Sequence, residues 1–395
     1  MRGNTTFKFI DRWVGIPLVG VAGVVRHLRR AGRRPEPAPL RPGDSVLVVK
    51  QSALGDTLLL LPVLKALKDR VGPQGRVVLV ATPVNREVAE ACPWVDRVLL
   101  LDPGRIVSHP LGLAGLIRRL RGERFALALD FDQWLRSSAL LATASGAARR
   151  LGFRTSGQHR HHGFDGTVDQ APGVHEGELF ARLAVAAGID AGAIEPYPGF
   201  LRRHGIWCDG PRPVAGGDRP PRIVFHPGCG SHGWQREWPL ESYAELGALL
   251  QEGTGADVVV TGHGTHEVSL ANELQHRGRF SFTNLAGRMS FRELADQLVR
   301  SDLVVCGNTG VMHLAAGLGV PLAALHGPTD PVKWGPNGGS PEGDPRFQVV
   351  AADLPCSPCL FLGFEYGCPE RPCMESLAVE TVMQACQKAL QAGRP

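Results

Sequence analysis

An α/β fold built from two Rossmann-like domains is what this sequence predicts, on three observations. From Ser45 onward, short apolar runs of strand length alternate with stretches of helical period, the order that builds parallel sheets through right-handed crossovers. The alternation pauses at a Pro- and Gly-rich stretch, residues 209–221, and then starts again. In each half, one strand runs into a turn that opens a helix, the place where open α/β sheets bind ligands. These turns are Ser52-Ala53-Leu54-Gly55-Asp56 and Gly307-Asn308-Thr309-Gly310-Val311-Met312-His313.

The elements follow in order. Strands are expected at 46–50, 77–81, 98–101 and 126–131, with helices at 57–70, 84–92, 111–121 and 135–144 between and after them. A second series has strands at 222–226, 257–261, 303–306 and 321–326 and helices at 240–251, 265–276, 291–300 and 311–318. The expected division is therefore an N-terminal helix and linker (1–42), a first domain (43–208), a linker (209–221), a second domain (222–350) and a cysteine-containing tail (351–395).

Bulk properties narrow the class. With 395 residues, 43% of them hydrophobic, the chain can bury a core in each of two domains. A formal charge of +5 is small for this length and gives no footprint for nucleic acid. Nine cysteines, an odd number and mostly scattered, argue against a secreted disulfide scaffold and for a reducing cytosolic setting.

Residues 13–25 form an almost unbroken apolar run followed by Arg26, Arg29, Arg30, Arg33 and Arg34. The run is shorter than the roughly 20 residues a membrane-spanning helix needs. Its positive charge comes after the apolar stretch, the reverse of a signal peptide. An interfacial helix fits, with apolar side chains at the acyl boundary and arginines on anionic headgroups at about 1 kcal/mol each. The alternative is a helix packed on the protein's own surface. The Pro-rich stretch 34–39 reads as a stiff linker behind it.

The chemistry concentrates in the two turns. Asp56, at the mouth of the first strand, either caps the following helix or accepts a hydroxyl proton during a displacement. In the second half, Pro227-Gly228-Cys229-Gly230-Ser231 is a glycine-rich turn whose amides suit a diphosphate or form an ordinary turn. Arg236 follows it as a cation for charge growing on a leaving group. Thr309 and Gly310 would present amides at a helix N-terminus, where the dipole favours an anion. His313, one turn further, is either packed or a ligand contact. An activated acceptor on one side and an anionic donor on the other suit glycosyl transfer. His159-Arg160-His161-His162 is a basic loop that either meets a phosphorylated acceptor or is solvated. In the tail, Cys356, Cys359, Cys368 and Cys373 read as a structural zinc site, a redox pair or plain thiols.

Together these residues resemble glycosyltransferase family 9, the heptosyltransferases of the lipopolysaccharide inner core. The resemblance runs from about Ser45 to Val382. Ser52–Asp56 with Leu61-Pro62-Val63-Leu64 is similar to the family's opening motif, in which the Asp is the proposed base. Asp130-Phe131-Asp132-Gln133-Trp134-Leu135-Arg136-Ser137 resembles its acceptor segment, and Ser52, Gly55 and Arg136 are carried over as acceptor-side residues. His226-Pro227-Gly228 through Trp238-Pro239 resembles the donor-phosphate segment, where the family commonly has lysine at the position of Arg236. Asn308–Leu314 and Gly327-Pro328-Thr329-Asp330-Pro331 resemble its donor helix start and late signature. This implies donor contacts at Gly228, Ser231, Arg236, Asn308, Thr309, Gly310 and His313.

The resemblance implies a GT-B fold, its two domains facing a central cleft. It also implies inverting, metal-independent transfer of a heptose from ADP-heptose to a lipid A-linked acceptor, with no cofactor beyond the ADP-sugar donor. The partners implied are that donor, the lipid-linked acceptor and an anionic membrane, with the enzyme peripheral on the cytoplasmic face of the inner membrane. Asn308 stands where better-known members have Asp, which bears on the sugar recognised. The other expectations are a GT-B enzyme with a different nucleotide sugar, and a silent nucleotide- or glycolipid-binding scaffold.

Overall fold

The structure, a computed structural model, describes residues 5–29, 39–102, 110–208, 219–231, 233–337, 343–360, 368 and 370–394. The chain forms two compact units, Met1–Pro172 with Gly177–Glu195, and Gly173–Glu176 with Pro196–Pro395.

Unit 1 is built on a six-stranded parallel sheet in the order β3-β2-β1-β4-β5-β6. The strands are β1 (Ser45–Val49), β2 (Arg76–Ala81), β3 (Arg97–Leu100), β4 (Leu127–Asp130), β5 (Arg149–Arg154) and β6 (Gly166–Asp169). β1 is central, and Val46, Leu47, Val48 and Val49 are all fully buried, as expected of a strand covered on both faces. The chain lays β2 and β3 on one side of β1 and then returns to place β4 on the other. That reversal at β1 and β4 makes their C-terminal ends a switch point for ligands.

The N-terminal segment folds into two helices, Thr5–Trp13 and Gly15–Arg29. They pack on the helix Arg136–Ala144 and the 3₁₀ turn Arg160–Gly163. Glycine allows the approach: a Cβ on Gly15 would lie 2.8 Å from Arg136 Cβ, and one on Gly23 2.8 Å from the His162 carbonyl oxygen. Asp11 is buried beneath, accepting from Arg136 N at 3.0 Å, Ser137 N at 3.0 Å and the Arg136 guanidinium at 3.2 Å. It thereby caps, from a distant part of the chain, a helix whose own N-cap residue, Leu135, offers no side-chain acceptor. Phe9, Trp13, Leu18, Val21, Val24 and Leu28 stay exposed. No helix among the described residues is long and apolar enough to cross a membrane. Arg30, Arg33, Arg34 and most of the Pro-rich stretch lie outside the described residues.

Unit 2 holds a second six-stranded parallel sheet, in the order β12-β11-β10-β7-β8-β9. Its strands are β7 (Arg222–His226), β8 (Asp257–Val260), β9 (Thr283–Asn284), β10 (Leu303–Gly307), β11 (Leu322–His326) and β12 (Phe347–Ala351). Phe225, Trp238 and Tyr243 fill the core on one side of the sheet. The C-terminal helix Val379–Ala392 packs on β11 and β12. Residues 196–208, expected in the first domain, cluster with unit 2, where Tyr197 Oη donates to the His313 carbonyl at 2.8 Å. Of the stretch 209–221, residues 209–218 lie outside the described residues.

Candidate active site

In unit 1, β1 delivers Lys50 at its C-terminal end, immediately before the turn. Ala53 takes φ 61°, a strained value for a residue with a Cβ, and it occupies the N-cap position with no capping side chain. The helix Leu54–Val71 therefore starts earlier than predicted and places Gly55 and Asp56 inside its first turn. Asp56 is not the cap. Its carboxylate points to Lys50 instead, with Nζ 3.1 Å from Oδ2.

Two more carboxylates lie behind this pair. Asp132 accepts from Ser52 Oγ at 2.7 Å, Gln51 N at 2.8 Å and Lys50 Nζ at 3.4 Å. Asp130, deeper still, accepts from Ser138 Oγ at 2.9 Å and Asp132 N at 3.0 Å and is ion-paired to Arg160. Burial pushes the Asp130 carboxyl up to about 7, against the pull of the Arg160 guanidinium. The side chains of Asp130 and Asp132 are fully buried, whereas that of Asp56 is 17% exposed. Arg136 is engaged by Asp11, and its Nε donates to the Gln158 carbonyl at 3.2 Å.

In unit 2 the loop after β7 and the turn after β10 are braced together. Arg236 donates through Nη1 to the Asn308 carbonyl at 2.6 Å and through Nη2 to the Cys229 carbonyl at 3.0 Å. Two buried acids line the glycine loop: Glu267 accepts from Gly230 N at 2.8 Å, and Glu237 from Cys229 N at 3.2 Å. Gly228 is required beside Glu267, whose Cγ would be 2.5 Å from an added Cβ. Ser231 is exposed at the loop's end. Thr309 caps the helix Gly310–Leu318, its Oγ1 accepting from Val311 N at 3.2 Å, so Gly310 opens the helix. Asn308 Nδ2 donates to the Trp334 carbonyl at 3.0 Å. His313 is buried one turn in. His226 Nδ1 pairs with Thr261 Oγ1 at 3.0 Å, and burial pushes its imidazole below the usual range, against the pull of Glu267.

Of the four tail cysteines, Cys356 and Cys368 are exposed, Cys359 is half-buried and Cys373 is buried. Among the described residues, no three His, Cys, Asp or Glu side chains are arranged to hold a metal ion.

Lys50, Glu237, Glu267 and Arg371, whose Nη1 donates to the carbonyls of Trp234 and Glu237, stand outside the candidates that the sequence motifs offer. A lysine ending an otherwise apolar strand was the visible signal for the first. Each unit thus puts one kind of chemistry at the end of its sheet. In unit 1 it is an accessible carboxylate held by a buried ammonium; in unit 2 it is a guanidinium beside a helix N-terminus, suited to an anion.

Comparison with known proteins places these features. Residues 113–363 match the profile of glycosyltransferase family 9 (heptosyltransferase). Lipopolysaccharide heptosyltransferase 2 of Salmonella typhimurium is 26% identical over 302 residues, 72% of this chain and 83% of that protein. Lipooligosaccharide heptosyltransferase 2 of Campylobacter jejuni is 26% identical over 174 residues, 43% of this chain and 51% of that protein. For the first curated relatives, the matched stretch spans about half their length or less. Among solved structures, the E. coli heptosyltransferase WaaC with ADP-2-deoxy-2-fluoro heptose aligns at a TM-score of 0.65 and 21% identity, covering 87% of this chain and 99% of that one. The fold is GT-B, with two Rossmann-like α/β units.

Proposed function

Because this chain belongs to glycosyltransferase family 9 (heptosyltransferase), we propose that it transfers a heptose from ADP-heptose to a lipid-linked inner-core acceptor of lipopolysaccharide, with Asp56 as the base. The observation that carries the assignment is exposure. Of the three carboxylates at the end of the first sheet, Asp130 and Asp132 are sealed off, and Asp56 alone reaches solvent. The names of the Salmonella relative and of the WaaC complex support the sugar and its nucleotide.

In this reading the acceptor hydroxyl gives its proton to Asp56 as its oxygen bonds to the anomeric carbon. The bond from that carbon to the diphosphate oxygen breaks, and the configuration inverts. A positioned base contributes typically 10²–10⁴-fold. Charge growing on the departing ADP is met by Arg236 and by the helix N-terminus at Thr309 and Gly310, so the step needs no metal ion. Gly228 and Ser231 line the diphosphate, and His313 supports the turn from within its helix. On the acceptor side, Ser52 and Gly55 shape the turn around the base, and Arg136 fixes the helix behind it.

Asn308 gives this site a neutral amide where a carboxylate is usual, which favours a second reading in which the donor sugar differs. Calorimetric titration of the purified protein with ADP-heptose beside other ADP-, UDP- and GDP-sugars separates the two. Selective binding of ADP-heptose supports the heptose. Preference for another donor reassigns the sugar, and no binding at all contradicts both.

The enzyme meets its lipid-linked acceptor on an anionic bilayer, at the cytoplasmic face of the inner membrane. Two features support this: the exposed row Phe9, Trp13, Leu18, Val21, Val24 and Leu28, and the basic residues Lys8, Arg12, Arg26, Arg29 and Arg30 in the same segment.

A further inference from the structure

We infer that Lys50 is the positioning residue for the Asp56 carboxylate and that Asp132 anchors it; the inference rests on the reading of Asp56 as the base. Lys50 is the first residue beyond β1 and is almost wholly buried, so its ammonium must find its partners inside the protein. Among them are Asp56 Oδ2 at 3.1 Å and Asp132 Oδ1 at 3.4 Å, with the Phe180 ring 5.5 Å away.

Both Lys50 and Asp132 are buried and held by further hydrogen bonds. Asn85 Nδ2 donates to the Lys50 carbonyl at 2.9 Å and so holds the backbone. Asp132 is fixed by Ser52 Oγ at 2.7 Å and the Gln51 amide at 2.8 Å. Asp56 sits differently, in the first turn of a helix that begins at a strained Ala53, with its side chain partly in solvent. An exposed carboxylate on a helix turn samples several rotamers. The charge-assisted contact from Lys50 selects one and holds Oδ2, so that Oδ1 is the oxygen that takes the acceptor's proton. Asp132, sealed from solvent and itself held by Ser52 and Gln51, is a second, fixed anchor for the ammonium and so sets where it meets Asp56. Ser52 of the opening turn thereby acts on the base through Asp132 and Lys50, without touching substrate.

The test compares kcat and donor KM for Lys50→Gln, Asp132→Asn and Asp56→Ala on the full chain, with circular dichroism and ADP affinity as controls. Lys50→Gln keeps a hydrogen-bond donor without the charge and is expected to lower kcat by about 10²-fold, the effect of removing one preorganised electrostatic contact, with donor KM unchanged. Asp132→Asn keeps the shape but removes the charge and leaves one acceptor oxygen where Ser52 and Gln51 use two, and it is expected to lower kcat by about tenfold, again at constant KM. Methylammonium added to Lys50→Ala should restore part of the lost kcat, which a purely structural lysine would not show. Should Lys50→Gln or Lys50→Ala fail to fold, the kcat of Asp132→Asn decides. If Asp56→Ala is inactive while the Lys50 and Asp132 variants turn over at the wild-type rate, the positioning role is overturned and the base stands. If Asp56→Ala itself turns over, the reading of the base falls and this inference with it.

Discussion

Arg236 donates to the carbonyl oxygens of both Asn308 and Cys229, at 2.6 and 3.0 Å, so one side chain fixes the two loops assigned here to the donor. The packing around it is tight: a Cβ on Gly307 would lie 2.8 Å from the Arg236 carbonyl and 3.0 Å from Cys229 Sγ. Arg236→Lys keeps the charge but loses the planar fork that reaches two carbonyls at once. We expect it to lose about tenfold in kcat/KM, and Arg236→Ala roughly 10²–10³-fold, measured by ADP release. Gly307→Ala should destabilise unit 2 by about 1–3 kcal/mol through overpacking, read by denaturant unfolding.

Asp11 and Arg136 form a buried pair that ties the N-terminal helices to unit 1. Removing one member of such a pair leaves the other uncompensated. Asp11→Ala should therefore cost about 3 kcal/mol and also uncap the helix Arg136–Ala144. Thermal unfolding would show it, together with earlier proteolytic cleavage within the helices Thr5–Trp13 and Gly15–Arg29. A stability equal to that of the wild type would mean the N-terminal helices are not integral to unit 1.

The membrane reading is best tested without deleting the segment, because deletion also removes Asp11. Trp13→Ser and Val21→Ser lie on the exposed row and leave the packed face alone. Each buried apolar side chain contributes about 1.5–3 kcal/mol to transfer from water. Sedimentation with phosphatidylglycerol vesicles should thus fall by about tenfold or more for each substitution, with unchanged folding. Undiminished sedimentation would contradict insertion by this face.

The imidazole of His326, buried at the end of β11, is pushed down to about 4 by loss of hydration. The ordinary value is near 6.5, so between those two pH values the unfolded chain binds a proton that the folded one refuses. Stability contributed by neutral His326 is thus present above about pH 6.5 and is lost as the pH falls toward 4, by about 3 kcal/mol in all. Asp130 acts in the opposite sense in unit 1, since its carboxyl is raised to about 7 and the folded state loses stability as the pH rises toward that value. The difference between wild type and His326→Gln isolates the histidine. The melting temperature of the variant should fall less between pH 6.5 and 4 than that of the wild type.

The frame of both sheets was legible because buried parallel strands are apolar throughout. The apolar runs give β7 at its observed bounds, and β1, β2, β3, β4, β8, β10 and β11 within one residue at each end. β5, β6, β9 and β12 were not legible, and for the first two the physical reasons are plain. Arg149, Arg150 and Arg154 break the apolar run of β5, and β6 is a short, half-exposed edge of the sheet. In the candidate site, the Asp at a strand mouth and the Thr-Gly helix start could be read from local pattern. The link from Lys50 to Asp132 joins residues far apart in sequence, the reach of Asp11 to Arg136 farther still, and such pairings exist only once the chain has folded. The left-handed backbone of Ala53, which moves the helix start and releases Asp56 from capping, has no signal in a small residue that is usually a helix former.

The central claim is that Asp56 is the base, and single-turnover transfer from ADP-heptose by Asp56→Ala tests it most directly, with ADP affinity measured on the same sample. The account predicts that transfer falls by at least about 10²-fold while ADP affinity stays within a few-fold. Transfer at a wild-type rate by a folded, ADP-binding Asp56→Ala protein would contradict it.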